Sequence, residues 1–570
     1  MEEKQLTGYP SIDRPWLKYY SEEAIRAELP NETLYESLKK CNQDNLDRIA
    51  MEYYGKQISY ASLLEHIDQV AGALAFSGIK YGDTVTVCSL NSPETVYLLY
   101  GLNKIGAVAN MASGLSDSTD LINYINSTNT KLIVTLDNFL DKITSILDAT
   151  SVEKVVVMNI TESMGSVIQF AARYLKGMKP KVLPNDRRFI RWKDFVSYHV
   201  PTNSVGLAEN VAVITYTGGT TGGSKGVMLS SKALISTAYQ YIMCEAGLDR
   251  GQTWLQFFPL FIAYGIGPSL HLPLMAGLTL IIRIPMADKL GTILKKYRPN
   301  HILSGPAMWT QLAEDDLNID LSFLMEPTSG GDKLPIHLEE KVNAYLKKQG
   351  SHCSLMNGYG LTEVSAGVSI NFKNAHCLGS VGIPFCKNII AAFDLESGNE
   401  LRYGEEGEIC ICTPSLMTGY VGSDDEMIYV HKDGRKWLHS GDLGYISEDG
   451  FVFITGRIKR FFLFMANGEA KKVFSADIEK VLLTHPLVEN CAIVPVAHKT
   501  KNQVAKAYVK LKDKNVAIAS AEKDLRKFCD EHMTERFRPE EYEFVQSYPL
   551  TKIGKIDYRT LERQANYEKE

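Results

Sequence analysis

At 570 residues the chain exceeds what one hydrophobic core usually supports, so two or more domains are expected. With 45% hydrophobic and 22% charged residues and a formal net charge of −6, its composition is that of a globular protein and gives no basic footprint for nucleic acid. Ten scattered cysteines build no paired framework, which excludes a disulfide scaffold and points to a reducing cytoplasm.

The opening MEEKQLTGYPSIDRPW mixes acidic and basic residues without an apolar core, so no secretory signal is expected there. Thr33, three residues before Glu36, predicts a capped helix running to Cys41. A longer helix, SYASLLEHIDQVAGALAFSG, is expected to end at Gly78, followed by the strand DTVTVCSL. PETVYLLYGLNKIG reads as a helix, and AVANMA, KLIVTL, EKVVVMNI and NVAVITYT as short apolar strands. This alternation predicts an α/β architecture of layered, largely parallel sheets.

Residues 165–193 form a basic insert in which Arg173, Lys176, Lys179, Lys181, Arg187, Arg188, Arg191 and Lys193 meet only Asp186 in acidic company. Val167, Ile168, Ala171, Tyr174, Leu175 and Met178 fall near helical spacing. The expectation is a solvated helix with a basic outer face, preferred over contact with an anionic membrane or a carrier protein.

Residues 215–230, TYTGGTTGGSKGVMLS, combine five glycines, several hydroxyls and a lysine directly after an apolar strand. Such a loop can converge NH groups on an anion. It departs from the G-x-x-x-x-G-K-[ST] pattern, because Ser224 precedes Lys225 and Gly226 follows it. The uncharged stretch from Leu255 to Ile282 is long enough to span a bilayer, but Pro259, Pro268 and Pro273 would interrupt a helix there. It is read as strand, loop, short helix and strand, and as the wall of an apolar pocket. His352-Cys353 and His376-Cys377 fit no zinc-ligand spacing and are read as packing residues, while Cys410 and Cys412 suit one face of a strand. Beyond residue 457 two helices and three strands predict a compact α+β unit of about 110 residues.

Four more stretches follow the glycine-rich run in order: NGYGLTE (357–363), WLHSGDLGY (437–445), TGRIKR (455–460) and PLTKIGKIDYRTL (549–561). The series resembles the ANL superfamily of adenylate-forming enzymes, which includes acyl-CoA synthetases, over about residues 33–563. The resemblance implies a large N-terminal domain, residues 1–457, of layered sheets plus a distorted barrel. It also implies a small mobile C-terminal domain, residues 458–570. The implied reaction activates a carboxylic acid with ATP and Mg²⁺ as acyl-AMP, then passes the acyl group to coenzyme A.

Carried onto this chain, the resemblance gives the phosphate loop as Thr217, Gly218, Gly219, Thr220, Thr221, Gly222 and Lys225. Gly331, Asp332, Gly358, Tyr359 and Gly360 would flank the adenine, Thr362 would meet the α-phosphate, and Glu363 would hold Mg²⁺. Asp442 and Arg457 would hold the ribose, Lys459 would be the hinge, and Lys555 would reach the reacting carboxylate. Ile262, Tyr264, Gly330 and Gly358 would line the acid pocket.

The chain departs from the family pattern at Gly218 (usually serine), Ser224 (usually proline), Ile262 (often histidine) and Arg460 (commonly aspartate). No aspartate stands in PLFIAYG to pair with an amino-acid ammonium, so an apolar or aromatic acid is expected. An acyl-AMP ligase charging a carrier protein in trans, and a nucleotide-binding member without turnover, are the alternatives.

Overall fold

The computed structural model describes all residues except 1–5, 218–223, 245–246, 285–288, 424–426, 432, 459, 467–468, 499, 514, 551–555 and 568–570. Several elements form where local chemistry places them. Thr33 accepts from the Glu36 amide while the Glu36 side chain returns to the Thr33 amide, opening the helix Leu34–Cys41. Ser59 caps the helix Tyr60–Phe76, and Gly78 beyond it takes φ +92°.

Short apolar strands then assemble two large mixed sheets. The first has eight strands, and its parallel centre runs Val211–Tyr216, Val108–Met111, Thr84–Cys88, Leu132–Leu136, Lys154–Met158. The second has nine, with a parallel run of Ile49–Tyr53, Thr279–Ile282, Thr253–Gln256, His301–Ser304, Glu326–Ser329 and Met356–Tyr359. A third, five-stranded and wholly antiparallel sheet is built around Lys436–Ile446. The mixed α/β expectation therefore holds, with the antiparallel sheet as the large domain's third layer.

Leu255–Ile282 folds as read: the strand Thr253–Gln256, helical turns from Ala263 to Met275, and the strand Thr279–Ile282. Among the described residues no helix is long and apolar enough to cross a membrane.

The C-terminal unit has its own sheet and core. Phe461–Ala466 and Glu469–Phe474 form a hairpin that the sequence reading did not separate. Val488–His498, Asn502–Leu511 and Glu541–Phe544 complete the sheet, and the helices Ser475–Leu482 and Ile518–His532 cover it. Val473, Ile478, Leu482, Val504 and Leu525 are fully or almost fully buried in a cluster separate from the large domain's core.

The basic insert departs from expectation. Ile168 packs on the large core and Ala172 is buried, but Val167, Phe170, Tyr174 and Leu175 face outward. The outer face of this segment is apolar as well as basic.

Candidate active site

A cavity of about 2450 Å³ lies between the large and small domains, and it is lined from both. Most predicted site residues that can be described reach it: Thr217, Lys225, Gly331, Asp332, Tyr359, Gly360, Thr362, Glu363 and Arg457 at one end, and Ile262, Tyr264, Gly330 and Gly358 at the other, whereas Asp442 is buried and does not itself line it. Gly218, Gly219, Thr220, Thr221, Gly222, Lys459 and Lys555 lie outside the described residues.

The polar end is built by strand register. In the third sheet Asp442 on Lys436–Ile446 pairs directly with Arg457 on Val452–Arg457. Their side chains consequently meet, Arg457 Nε donating to Asp442 Oδ1 at 2.7 Å. The other carboxylate oxygen accepts from the Tyr359 hydroxyl at 2.5 Å. Burial first, and then the Asp442 carboxylate, push the Tyr359 phenol well above its ordinary range. Asp442 in turn raises the Arg457 guanidinium, with Tyr359, Glu363 and Asp332 adding to it. A carboxylate with partners on both oxygens is fixed in direction, and it fixes Tyr359 and Arg457 in turn.

A second chain of contacts joins the glycine-rich run to Glu363. Val211–Tyr216 and Gly226–Ser230 form a hairpin, closed at its base by Thr217 N–H to Lys225 O at 3.1 Å and Lys225 N–H to Thr217 Oγ1 at 3.3 Å. Ser224, which stands where a proline is usual, donates its hydroxyl to the Thr217 carbonyl and closes the same base. Gly419–Tyr420 pairs along the outer edge of this hairpin, and that places the Tyr420 ring 4.6 Å beneath Lys225 Nζ. The Tyr420 hydroxyl then donates to Glu363 Oε1 at 2.9 Å. Glu363 is buried, its carboxylate is a hard oxygen donor, and one oxygen is left outside that bond, which suits Mg²⁺.

Glycine is required where the backbone turns at this end. A Cβ on Gly360 would lie 1.4 Å from the Ala366 carbonyl oxygen, so no other residue fits. Ser365 and Ala366, directly after Thr362–Val364, adopt φ of +58° and +89°, a left-handed turn rare for non-glycine residues. Gly331 takes φ +91°.

The other end is apolar at its walls. The Phe258 and Tyr264 rings pack 4.4 Å apart, and a Cβ on Gly330 would come within 3.0 Å of the Tyr264 hydroxyl. Behind these walls stands a buried polar row that sequence reasoning missed. Trp254, His301 and Glu326 sit opposite one another on three adjacent parallel strands. Tyr241, on the covering helix Ser231–Ile242, lines the cavity and donates its hydroxyl to Glu326 Oε2 at 3.2 Å. Desolvation pushes the Glu326 carboxyl up to about 8 and the His301 imidazole down to about 4. The Thr237 hydroxyl, also at the cavity wall, is buried with no hydrogen-bond partner among the described residues. The only available signal was a glutamate in the otherwise uncharged run MEPTSGG.

Glu408, His439 and Arg460 also line the cavity and were not anticipated as parts of the site. Glu408 Oε1 accepts from the Gly441 amide, next to Asp442, at 3.0 Å, while its Oε2 lies 2.8 Å from His439 Nδ1. Glu408, Cys410 and His439 are the one group of potential metal ligands that comes together among the described residues, and neither His-Cys pair of the sequence belongs to it. Arg460, the departure after the hinge, pairs with Glu479 at 2.5 Å and stacks 3.7 Å from the Tyr558 ring. The unusual arginine is thus matched by partners within the small domain.

Comparison with known proteins bears on the family and the fold. A family model described as AMP-binding enzyme matches residues 38–421, and one described as AMP-binding enzyme C-terminal domain matches residues 477–555. The chain is similar to a long-chain-fatty-acid–CoA ligase of Bacillus subtilis (strain 168), 28% identical over 569 residues, 96% of this chain and 97% of that protein. It is also similar to a 4-coumarate–CoA ligase of Vanilla planifolia, 28% identical over 512 residues, 86% of this chain and 85% of that protein. A solved anthranilate CoA ligase in complex with anthranoyl-AMP shares the fold, with a TM-score of 0.77 at 21% identity over 96% of this chain and 99% of that one.

Proposed function

The chain belongs to the AMP-binding, adenylate-forming (ANL) enzymes, and from that premise we propose that it is an ATP-dependent acid–thiol ligase acting in the cytoplasm. It activates a small-molecule carboxylic acid as acyl-AMP and then transfers the acyl group to coenzyme A. The observation that carries this reading is the shared cavity. Tyr359 and Arg457, both held by the buried Asp442, and the Glu363–Tyr420–Lys225 chain line the same space as a pocket with apolar walls.

In the first half-reaction a carboxylate oxygen bonds to the α-phosphorus of ATP and the bond to pyrophosphate breaks. Tyr359 stacks on the adenine, while Asp442 and Arg457 hold the ribose. Thr217, Lys225 and the loop 218–222 hold the β and γ phosphates, and Thr362 meets the α-phosphate. These groups oppose the repulsion between two anions and stabilise charge as it develops. Glu363 would hold Mg²⁺, which supplies charge neutralisation on the phosphate oxygens.

Lys555 belongs at the reacting carboxylate. In the second half-reaction the thiol sulfur bonds to the acyl carbon and the bond to AMP breaks. The domain of residues 458–570 turns about Lys459 against residues 1–457 between the two steps.

The test is a panel of acids with ATP and Mg²⁺, following AMP and thioester with coenzyme A present or absent. AMP and CoA thioester formed in equal amounts are expected. Acid-dependent pyrophosphate release without a CoA thioester would replace coenzyme A by a carrier protein, and no pyrophosphate with any acid would leave a nucleotide-binding protein without turnover.

A further inference from the structure

We propose that the segment Ser166–Leu175 and the basic residues after it dock the protein on an anionic lipid surface. Val167, Phe170, Tyr174 and Leu175 are 83%, 61%, 62% and 79% exposed. Their spacing of i, i+3, i+7 and i+8 puts all four on one side of the helical segment Ser166–Leu175. The opposite side is fixed to the molecule: Ile168 packs on the main core and against Gly55, Ala172 is buried, and the Gly165 amide donates to the Tyr54 carbonyl at 3.1 Å. The apolar face is therefore held outward by the fold rather than left over from a frayed end. Single exposed apolar side chains are ordinary on protein surfaces, but four large ones along ten residues are not.

Charge selects the occupant. Lys176 and Lys179 follow the apolar face directly, and Arg187 lies in the same insert. All three are exposed, and none forms an ion pair among the described residues. Lys179 Nζ instead sits 4.9 Å over the Tyr174 ring, which brings a cation to the edge of the apolar face. This local excess of positive charge stands on a chain of net charge −6.

A second copy of the chain would present the same cations across a two-fold interface and repel its partner. An apolar strip beside free lysines instead matches the boundary between acyl chains and anionic headgroups. There the strip inserts and the cations stay at headgroup level. The contact is peripheral and independent of the cavity.

The test is sedimentation of the full-length protein with vesicles of phosphatidylcholine and phosphatidylglycerol, and with vesicles of phosphatidylcholine alone. The wild-type protein is expected to bind the anionic vesicles at least about fivefold better, and to lose that preference at high salt. The double variant Val167→Asp/Leu175→Asp should bind no better than background. Because both side chains are exposed, its thermal midpoint and its rate of AMP formation with a water-soluble acid should be unchanged. A second variant, Lys176→Glu/Lys179→Glu, should lose the preference for anionic lipid while the apolar face stays intact. The proposal is overturned if wild-type protein ignores both vesicle types, or if the variants pellet as the wild type does. It is also overturned if the aspartate variant converts a dimer to a monomer without any change in vesicle binding.

Discussion

The two ends of the cavity are built by different means. At the proposed nucleotide end, side chains are locked by one ion pair and by hydrogen bonds from tyrosines: Asp442 between Tyr359 and Arg457, and Glu363 tied through Tyr420 to the lysine of the glycine-rich run. At the acid end the walls are apolar, and the polar groups stand one layer back as the row Trp254–His301–Glu326 beneath Tyr241. Under the proposed function, the first end would meet ATP, a ligand that does not vary, and can be rigid and charged. The second would meet the acid, and it is shaped by packing and glycines. Damage at the first end should consequently lower rate or ATP affinity for every acid. Damage at the second should change which acid is used.

The largest break is expected at Lys555. Lys555→Ala should slow acyl-AMP formation by roughly 10²–10³-fold, the scale of losing one group that stabilises developing charge. Thioester formation from supplied acyl-AMP should remain near wild type, and equal loss in both half-reactions would contradict the assignment. Next comes Asp442→Ala, which leaves the buried Tyr359 hydroxyl without its acceptor and Arg457 without its counter-ion. A hydrogen bond to a charged group contributes about 1.5–3 kcal/mol, so KM for ATP should rise roughly tenfold or more, with KM for the acid little changed. A rise confined to the acid would place Asp442 at the wrong end.

A smaller and opposite pattern is expected at Tyr241. Tyr241→Phe keeps the ring and removes the donor to Glu326, so ATP affinity should be unaltered. The ratio of kcat/KM between an aromatic acid bearing a distal hydroxyl and its fluoro counterpart should shift by about three- to tenfold. An unchanged ratio with a raised KM for ATP would erase the distinction between the two ends.

The smallest effect concerns Glu326 and pH. Its folded carboxyl titrates at about 8 against an ordinary value of 4.5, so between those values the folded state holds a proton that the unfolded chain has released. Stability from this group is complete below about 4.5 and is lost as pH rises toward about 8. His301 acts oppositely: its folded value of about 4 lies below the ordinary 6.5, so its contribution grows as pH rises through that interval. Of these two groups, Glu326 alone still changes its contribution from about pH 7 to about pH 8. Glu326→Gln should flatten the fall of the thermal midpoint in that range, and an identical slope in both proteins would contradict a neutral buried carboxyl.

The polar end was legible as a meeting of motifs because these are short and contiguous. NGYGLTE, HSGDLG and TGRIK each bring some of their residues to the cavity, and strand register alone sets the buried Asp442 against Arg457. Tyr420 was not readable, since its link to Lys225 and Glu363 arises where a two-residue strand joins the edge of a distant hairpin. The other end was legible as an apolar stretch and as the four wall positions Ile262, Tyr264, Gly330 and Gly358. Its polar row draws one residue from each of three strands, Trp254, His301 and Glu326, and one from a helix, Tyr241, and no spacing in the chain announces that they meet. The insert at 165–193 was read incompletely for a related reason: its exposed basic residues were expected and its exposed apolar face was not. Periodicity identifies a face but not which side the fold covers, and here Val167 and Leu175 lie on the uncovered side. Arg460 shows the same limit: as a sequence departure it raised doubt, whereas its pairing with Glu479 and Tyr558 gives it a place in the small domain.

The central claim is that one cavity joins a carboxylate to the α-phosphorus of ATP. It is tested most directly by supplying an acid that is turned over with both carboxylate oxygens labelled with ¹⁸O, and analysing the products by mass spectrometry. The account predicts that the AMP formed carries one ¹⁸O atom from the acid, and that pyrophosphate carries none. Unlabelled AMP, or label appearing in ADP and phosphate, would contradict it.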